Sequence, residues 1–147
     1  MKLKIITIGK IKNKNILLEI EEIKKRMPKL EIIELKEVKD SNTEIIKKKE
    51  YELFKKYLNS KNDIKILLWE YGKDYTTQKF YEKIKSLNKD ITLFITGAFG
   101  ANDDMKNSCN LYLSLSKMTF THEMARLMLI EQLYRVQCFE RNIPYTK

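Results

Sequence analysis

The chain is poor in the residues that mark specialised scaffolds: two cysteines, two prolines, four glycines, one histidine and one tryptophan in 147 residues. Cys109 and Cys138 are too few for a disulfide framework and fit a reducing compartment as ordinary semi-buried thiols. With a single histidine beside them, no zinc-ligand spacing exists, and no metal is expected. Apolar runs are short, such as Leu67-Leu68-Trp69 and Leu127 to Ile130, far below the roughly 20 residues that cross a bilayer. The opening Met1-Lys2-Leu3-Lys4-Ile5-Ile6 has no signal-peptide apolar stretch or small-residue cleavage site. These absences lead to the expectation of a cytoplasmic protein with no membrane partner. Also absent are G-x-G-x-x-G, G-x-x-x-x-G-K-[ST] and a nucleophile elbow, which excludes a Rossmann dinucleotide site, a P-loop and a serine-hydrolase centre of that type.

What is present is charge. Hydrophobic residues make up 43% and charged residues 33%, the balance of a globular protein, and the length suits one domain spanning residues 1–147. The net charge is +9. A polyanionic partner accounts for it, and so does the solvated surface of a lysine- and isoleucine-rich chain. Arginine is more informative because only four occur, and three of them, Arg126, Arg135 and Arg141, lie in the last 22 residues. Guanidinium chemistry is wanted near the C-terminus.

Apolar, β-branched segments alternate with helical patterns along the chain. Strands are predicted at Leu3 to Ile8, Glu31 to Leu35, Ile64 to Trp69, Ile91 to Ile95 and Leu111 to Leu115. Helices are predicted from Asn15 to Arg26, Asn42 to Leu58, around Asp103 to Ser108, and from His122 to Phe139, with another capped by Thr77. In the last long helix, Met124, Leu127, Met128, Leu133 and Val136 form the apolar side, Thr121 is the N-cap, and Glu131 and Arg135 pair at i,i+4. The fold class is therefore α/β, a single-domain, mainly parallel sheet flanked by helices. Gly72, Gly97 and Gly100 fall after apolar strands, where ligands bind in open α/β sheets and glycine admits close backbone approach. For any one glycine, a plain tight βα turn is the better account. Composition and periodicity end at a basic α/β domain with loops able to hold a ligand.

The segment Leu113-Ser114-Leu115-Ser116-Lys117-Met118-Thr119-Phe120, followed by His122, Ala125-Arg126 and Ile130-Glu131-Gln132-Leu133-Tyr134-Arg135, resembles the ribosomal large subunit methyltransferase H family. Lys4-Ile5-Ile6-Thr7-Ile8-Gly9-Lys10, Phe94-Ile95-Thr96-Gly97-Ala98-Phe99-Gly100 and the closing Pro144-Tyr145-Thr146-Lys147 extend the resemblance over the whole chain. It implies a SPOUT fold with a C-terminal trefoil knot, and a homodimer that methylates N3 of a pseudouridine in 23S rRNA of the assembled ribosome. It also implies S-adenosyl-L-methionine as cofactor, held by Leu68, Thr96, Gly97 and the run Leu115, Ser116, Lys117, Met118, Thr119 and Phe120. Leu68 and Leu115 also suit a plain core role.

The chemistry such a resemblance implies is mainly placement. A cation beside the target would stabilise the imide anion that forms as N3 loses its proton. Arg135 is the leading candidate, with Lys117 and Lys147 behind it. Tyr145 is placed to stack on a base, and Arg126 and Arg141 are assigned to phosphates. His122 is a candidate general base, although a capping or packing role at a helix start fits it equally. The family usually has glycine where this chain has Thr96, proline at Thr121 and histidine at Thr146. The first narrows the cofactor loop and the last removes an imidazole near the substrate proton. Two other outcomes fit the same residues: a SPOUT enzyme with another RNA target, and a catalytically silent ribosome-binding protein.

Overall fold

The computed structural model describes residues 1–145. The elements run β1 (Leu3–Ile8), α1 (Lys14–Lys25), β2 (Glu31–Leu35), α2 (Thr43–Leu58), β3 (Asp63–Lys73), α3 (Thr77–Leu87), β4 (Asp90–Ile95), α4 (Asp103–Asn107), β5 (Leu111–Leu113) and α5 (His122–Glu140). The five strands form one sheet in the order β2-β1-β4-β3-β5, and every pairing is parallel. Parallel pairing requires crossovers, and the helices that supply them cover both faces. The two central strands are consequently apolar on both sides. Ile5, Ile91, Leu93 and Ile95 enter a large core beneath α1, α3 and α5, while Ile6, Ile8 and Phe94 enter a smaller one beneath α2 and α4. Each such fully buried side chain contributes about 1.5–3 kcal/mol relative to leaving it in water.

Helix starts are set by side-chain caps. Asn13, Asn42, Thr76, Asn102 and Thr121 each accept backbone N–H groups of the first turn. Several boundaries differ from expectation by a residue; α1, for example, starts at Lys14, and Thr76 rather than Thr77 is the cap of α3. Two strands differ more. β5 is only three residues long, because the chain after Leu113 turns into a serine-bonded loop, Ser114 Oγ donating to the Ser116 carbonyl at 2.8 Å. β3 continues through Gly72 to Lys73, with a register shift between Leu68 and Lys73 where it meets β5 a second time. Gly72 is thus no strand-ending turn. A Cβ there would lie 2.7 Å from the Tyr112 carbonyl carbon, so glycine permits the approach of the two backbones.

Periodicity also misplaces part of α5. Met124 and Met128, expected in the core, are 37% and 36% exposed, whereas Leu129, Ile130, Leu133, Tyr134, Val136 and Cys138 are buried. Polar and apolar residues are interspersed around the helix, Arg126 being among the buried ones, so spacing alone does not select its inner face. No helix of the described residues is long and apolar enough to cross a membrane.

Candidate active site

Because all strands are parallel, the carboxyl ends of β3 and β4 and the loop after β5 open on one edge of the sheet, where α/β proteins bind ligands. A cavity of about 680 Å³ lies there, within the size range of small-molecule sites. Leu68, Thr96, Gly97, Leu115, Ser116, Met118, Thr119 and Phe120 all line it, as does His122. Sequence reading therefore brings together eight of its nine cofactor candidates. The ninth, Lys117, is exposed in the same loop and does not line the cavity.

The fold holds these loops by specific bonds. Ser116 Oγ accepts the Met118 N–H at 3.0 Å, and the Ser114 N–H donates to the Lys73 carbonyl at 2.9 Å, fastening the loop after β5 to the end of β3. The turn after β4 rests on Glu50 of α2, a carboxylate only 4% exposed that accepts the Gly97 N–H at 3.1 Å. Burial raises the Glu50 carboxyl above its ordinary value, against the lowering effect of that bond. A Cβ at position 97 would meet the Glu50 carboxylate, which would have to shift to admit it. Glu123, at the start of α5, accepts the N–H groups of Asn13 (3.0 Å) and Lys12 (3.2 Å), and these bonds lower its pKa. It thereby ties α5 to the start of α1, which sends Asn13 and Ile16 to the cavity wall.

Glu50, Glu123, Asn13 and Trp69 escaped the sequence reading. Glu50 lies in a lysine- and glutamate-rich helix, where nothing local separates a buried carboxylate from its solvated neighbours. Cys109 lies outside the cavity, and burial pushes its thiol up to about 12, so it is not a thiolate nucleophile at neutral pH. Among the described residues no group of His, Cys, Asp and Glu is arranged to hold a metal ion.

The expected phosphate contact at Arg126 is corrected. Arg126 is 1% exposed and its guanidinium points inward, pairing with Glu34 and donating to the Gly9 carbonyl at 2.8 Å and Thr7 Oγ1 at 3.2 Å. It joins α5 to the ends of β1 and β2, and no surface remains for an RNA phosphate. A guanidinium answers here because five donors can satisfy several acceptors at a strand end, although its Nε finds no partner among the described residues.

Arg135 and Tyr145 lie together but away from the cavity. Arg135 Nε donates to Glu131 at 2.7 Å, and the guanidinium carbon sits 5.2 Å from the centroid of the Tyr145 ring, which meets Tyr134 edge-on. Thirteen residues of helix separate Arg135 from His122, roughly 20 Å at 1.5 Å per residue. Arg141 caps the C-terminal end of α5 and is exposed. Lys147 and Thr146 lie outside the described residues.

A family model described as predicted SPOUT methyltransferase matches residues 1–146. Proteins named ribosomal RNA large subunit methyltransferase H are similar over nearly the full length. The one from Prochlorococcus marinus strain NATL2A is 44% identical, covering 98% of this chain and 94% of its own. That from Dictyoglomus thermophilum is 40% identical, covering 99% of each. In solved structures, a probable methylase family protein from Haemophilus influenzae Rd KW20 superposes with a TM-score of 0.61 at 12% identity, covering 99% of this chain and 70% of its own, which bears on the fold alone. With a parallel sheet opening on a loop-lined cavity and this extent of likeness, the chain belongs to the SPOUT methyltransferase family and is a methyltransferase of the ribosomal RNA large subunit methyltransferase H group.

Proposed function

We propose that the protein, acting as one SPOUT domain over residues 1–147 with the family's C-terminal trefoil knot, transfers a methyl group from S-adenosyl-L-methionine to N3 of a pseudouridine in 23S rRNA. The observation that carries this reading is the cavity itself, whose walls include Leu68 of β3, the turn after β4 and the loop after β5, the segments that the sequence resemblance assigns to the cofactor. Its chemistry suits that molecule. Ile95, Leu68 and Leu115 offer apolar contact for an adenine, while the turn 96–98 and the loop 115–121 offer backbone polar groups. Glu70 and Glu123 are among the lining residues and add negative charge near a cationic ligand.

The cofactor supplies a methyl group already activated on a sulfonium. What remains for the chain is to hold the base, to exclude water and to favour loss of the imide proton. Tyr145 suits the first of these tasks and Arg135 the last, yet Arg135 stands about 15 Å along α5 from Ala125, which lines the cavity of its own subunit. A homodimer resolves this separation by presenting the C-terminal end of one α5, with its tail, to the cavity of the other subunit. Met124 and Met128 of α5, Met118 and Phe120 of the preceding loop, and Leu17 and Leu18 of α1 are exposed apolar side chains available for such pairing. His122 then borders the cofactor, while Arg141 and Lys147 add positive charge for phosphate at the paired C-termini. The setting is the cytoplasm, where ribosomes are found. Nucleoside mass spectrometry of large-subunit rRNA from a strain lacking this gene tests the reading. Loss of one methylated pseudouridine is expected, and unchanged rRNA would overturn it.

A further inference from the structure

Tyr71 is 76% exposed on the extended end of β3. It takes no part in the core beneath α2, although its neighbours Trp69 and Tyr112 pack against that core. The Tyr71 ring meets Trp69 edge-on, with centroids 5.6 Å apart and planes at 71°. Trp69 is braced on its other side by Tyr112 in the same geometry, at 5.6 Å and 72°. The ammonium of Lys106 lies 4.7 Å from the Trp69 centroid, and the Tyr112 hydroxyl donates to the Lys106 carbonyl at 2.6 Å. Three rings and a cation thus hold one another at the β3–β5 edge. Trp69 and the next residue, Glu70, also line the cavity, so this cluster adjoins the site.

A large ring left in water beside a braced partner gains little from folding, and its exposed face suits a flat ligand. The charges nearby select among flat ligands. Lys106 is the cation over the rings, Lys73 lying instead over Tyr75, whereas Glu70 next to them in sequence is exposed and Asp103 and Asp104 open α4. This mixture provides no anion pocket, but it tolerates a neutral base whose phosphates lie further out. We infer that Tyr71, propped by Trp69, is a stacking platform for an unpaired RNA base next to the nucleotide presented to the cavity. The inference rests on the reading of the chain as an RNA methyltransferase and adds a second point of contact with that substrate.

Trp69 is the sole tryptophan and sits beside the platform, so its fluorescence reports on it directly. The expected result is saturable quenching of the full-length protein by octauridylate. Tyr71→Ala should weaken this binding about tenfold, the scale of one lost base–aromatic stack, and Tyr71→Phe should preserve it. In methylation of intact ribosomes, Tyr71→Ala should raise KM by a similar factor, with the loss falling on KM rather than kcat and with cofactor affinity unaltered. The exposed position makes a folding defect unexpected, and thermal unfolding of the variant checks this. Wild-type behaviour of Tyr71→Ala in both assays would overturn the platform. So would a change in its sedimentation, which would assign the ring to contact between copies of the chain. If the wild-type protein methylates no ribosomal RNA, the enzymatic reading fails, while the octauridylate titration still decides the platform.

Discussion

Gly97→Ala tests how the cofactor turn is held. The new methyl group would meet the Glu50 carboxylate, with its carboxyl carbon only 3.2 Å away. Glu50 is 4% exposed and accepts the Gly97 N–H, so it has little room to retreat without giving up that bond. Overpacking of this kind costs about 1–3 kcal/mol. Breaking a hydrogen bond to a charged group costs about 1.5–3 kcal/mol. One relieves the other, so the substitution should destabilise by about 2–3 kcal/mol rather than by their sum. Glu50→Ala removes the obstacle and leaves the Gly97 N–H unpaired, at about 1–3 kcal/mol. In the double variant the methyl group has space, and the total cost should fall short of additivity by about 1–3 kcal/mol. Urea unfolding of the four proteins measures this coupling, and calorimetry with S-adenosyl-L-methionine measures the effect on the site. Gly97→Ala should weaken cofactor binding by at least about tenfold, or 1.4 kcal/mol. Additivity within about 0.5 kcal/mol would refute the argument, since it would mean that the two groups do not restrain one another.

Further consequences follow from the other contacts. Because burial raises the Glu50 carboxyl above 4.5, its protonation favours the folded state; this contribution is complete below 4.5 and is lost as pH rises through the folded value. Wild type should therefore gain stability relative to Glu50→Gln as pH falls from 7 towards 5, read from paired urea titrations; a constant difference would contradict the burial argument. Arg126→Lys should lower stability by about 2–4 kcal/mol through its lost buried bonds, yet leave the salt dependence of ribosome binding unchanged, whereas Arg141→Ala should reduce that slope by about one. A chain ending at Arg141 should stay folded and bind cofactor within several-fold of the intact protein, but lose at least about two orders of magnitude in methyl transfer. Mixed dimers of that chain with a cavity-blocked Leu68→Trp subunit should recover activity absent from either parent, and no recovery would exclude assembly of the site across subunits.

The sequence carries the strands and most of the loop positions that line the cavity because both leave local marks. β1 and β4 are continuous apolar runs of strand length, and the loop after β5 is a contiguous segment whose order of residues is distinctive. The supporting interactions are non-local and leave none. Glu50 reaches Gly97 across 47 positions, and Arg126 reaches Gly9 across 117. An arginine near the C-terminus of a basic chain invites assignment to phosphate, and only the packing of α5 over the ends of β1 and β2 turns it inward. The outward methionines of α5 escape sequence reading for a related reason, since a helix with polar and apolar residues interspersed on every side has no periodic signal to read. Tyr71 stood in the sequence as one of eight tyrosines, and its distinction lies in exposure beside Trp69 and the cavity.

The central claim is that the cavity at the carboxyl ends of β3 and β4 is the methyl-donor site of an enzyme acting on ribosomal RNA. Its most direct test is transfer of isotopically labelled methyl from S-adenosyl-L-methionine to purified ribosomes, followed by nucleoside mass spectrometry of the RNA, with wild type and Leu68→Trp side by side. The account predicts label in a single N3-methylated pseudouridine of 23S rRNA with wild type, and none with the folded Leu68→Trp variant. Absence of label with wild type, or equal labelling by both proteins, would contradict it.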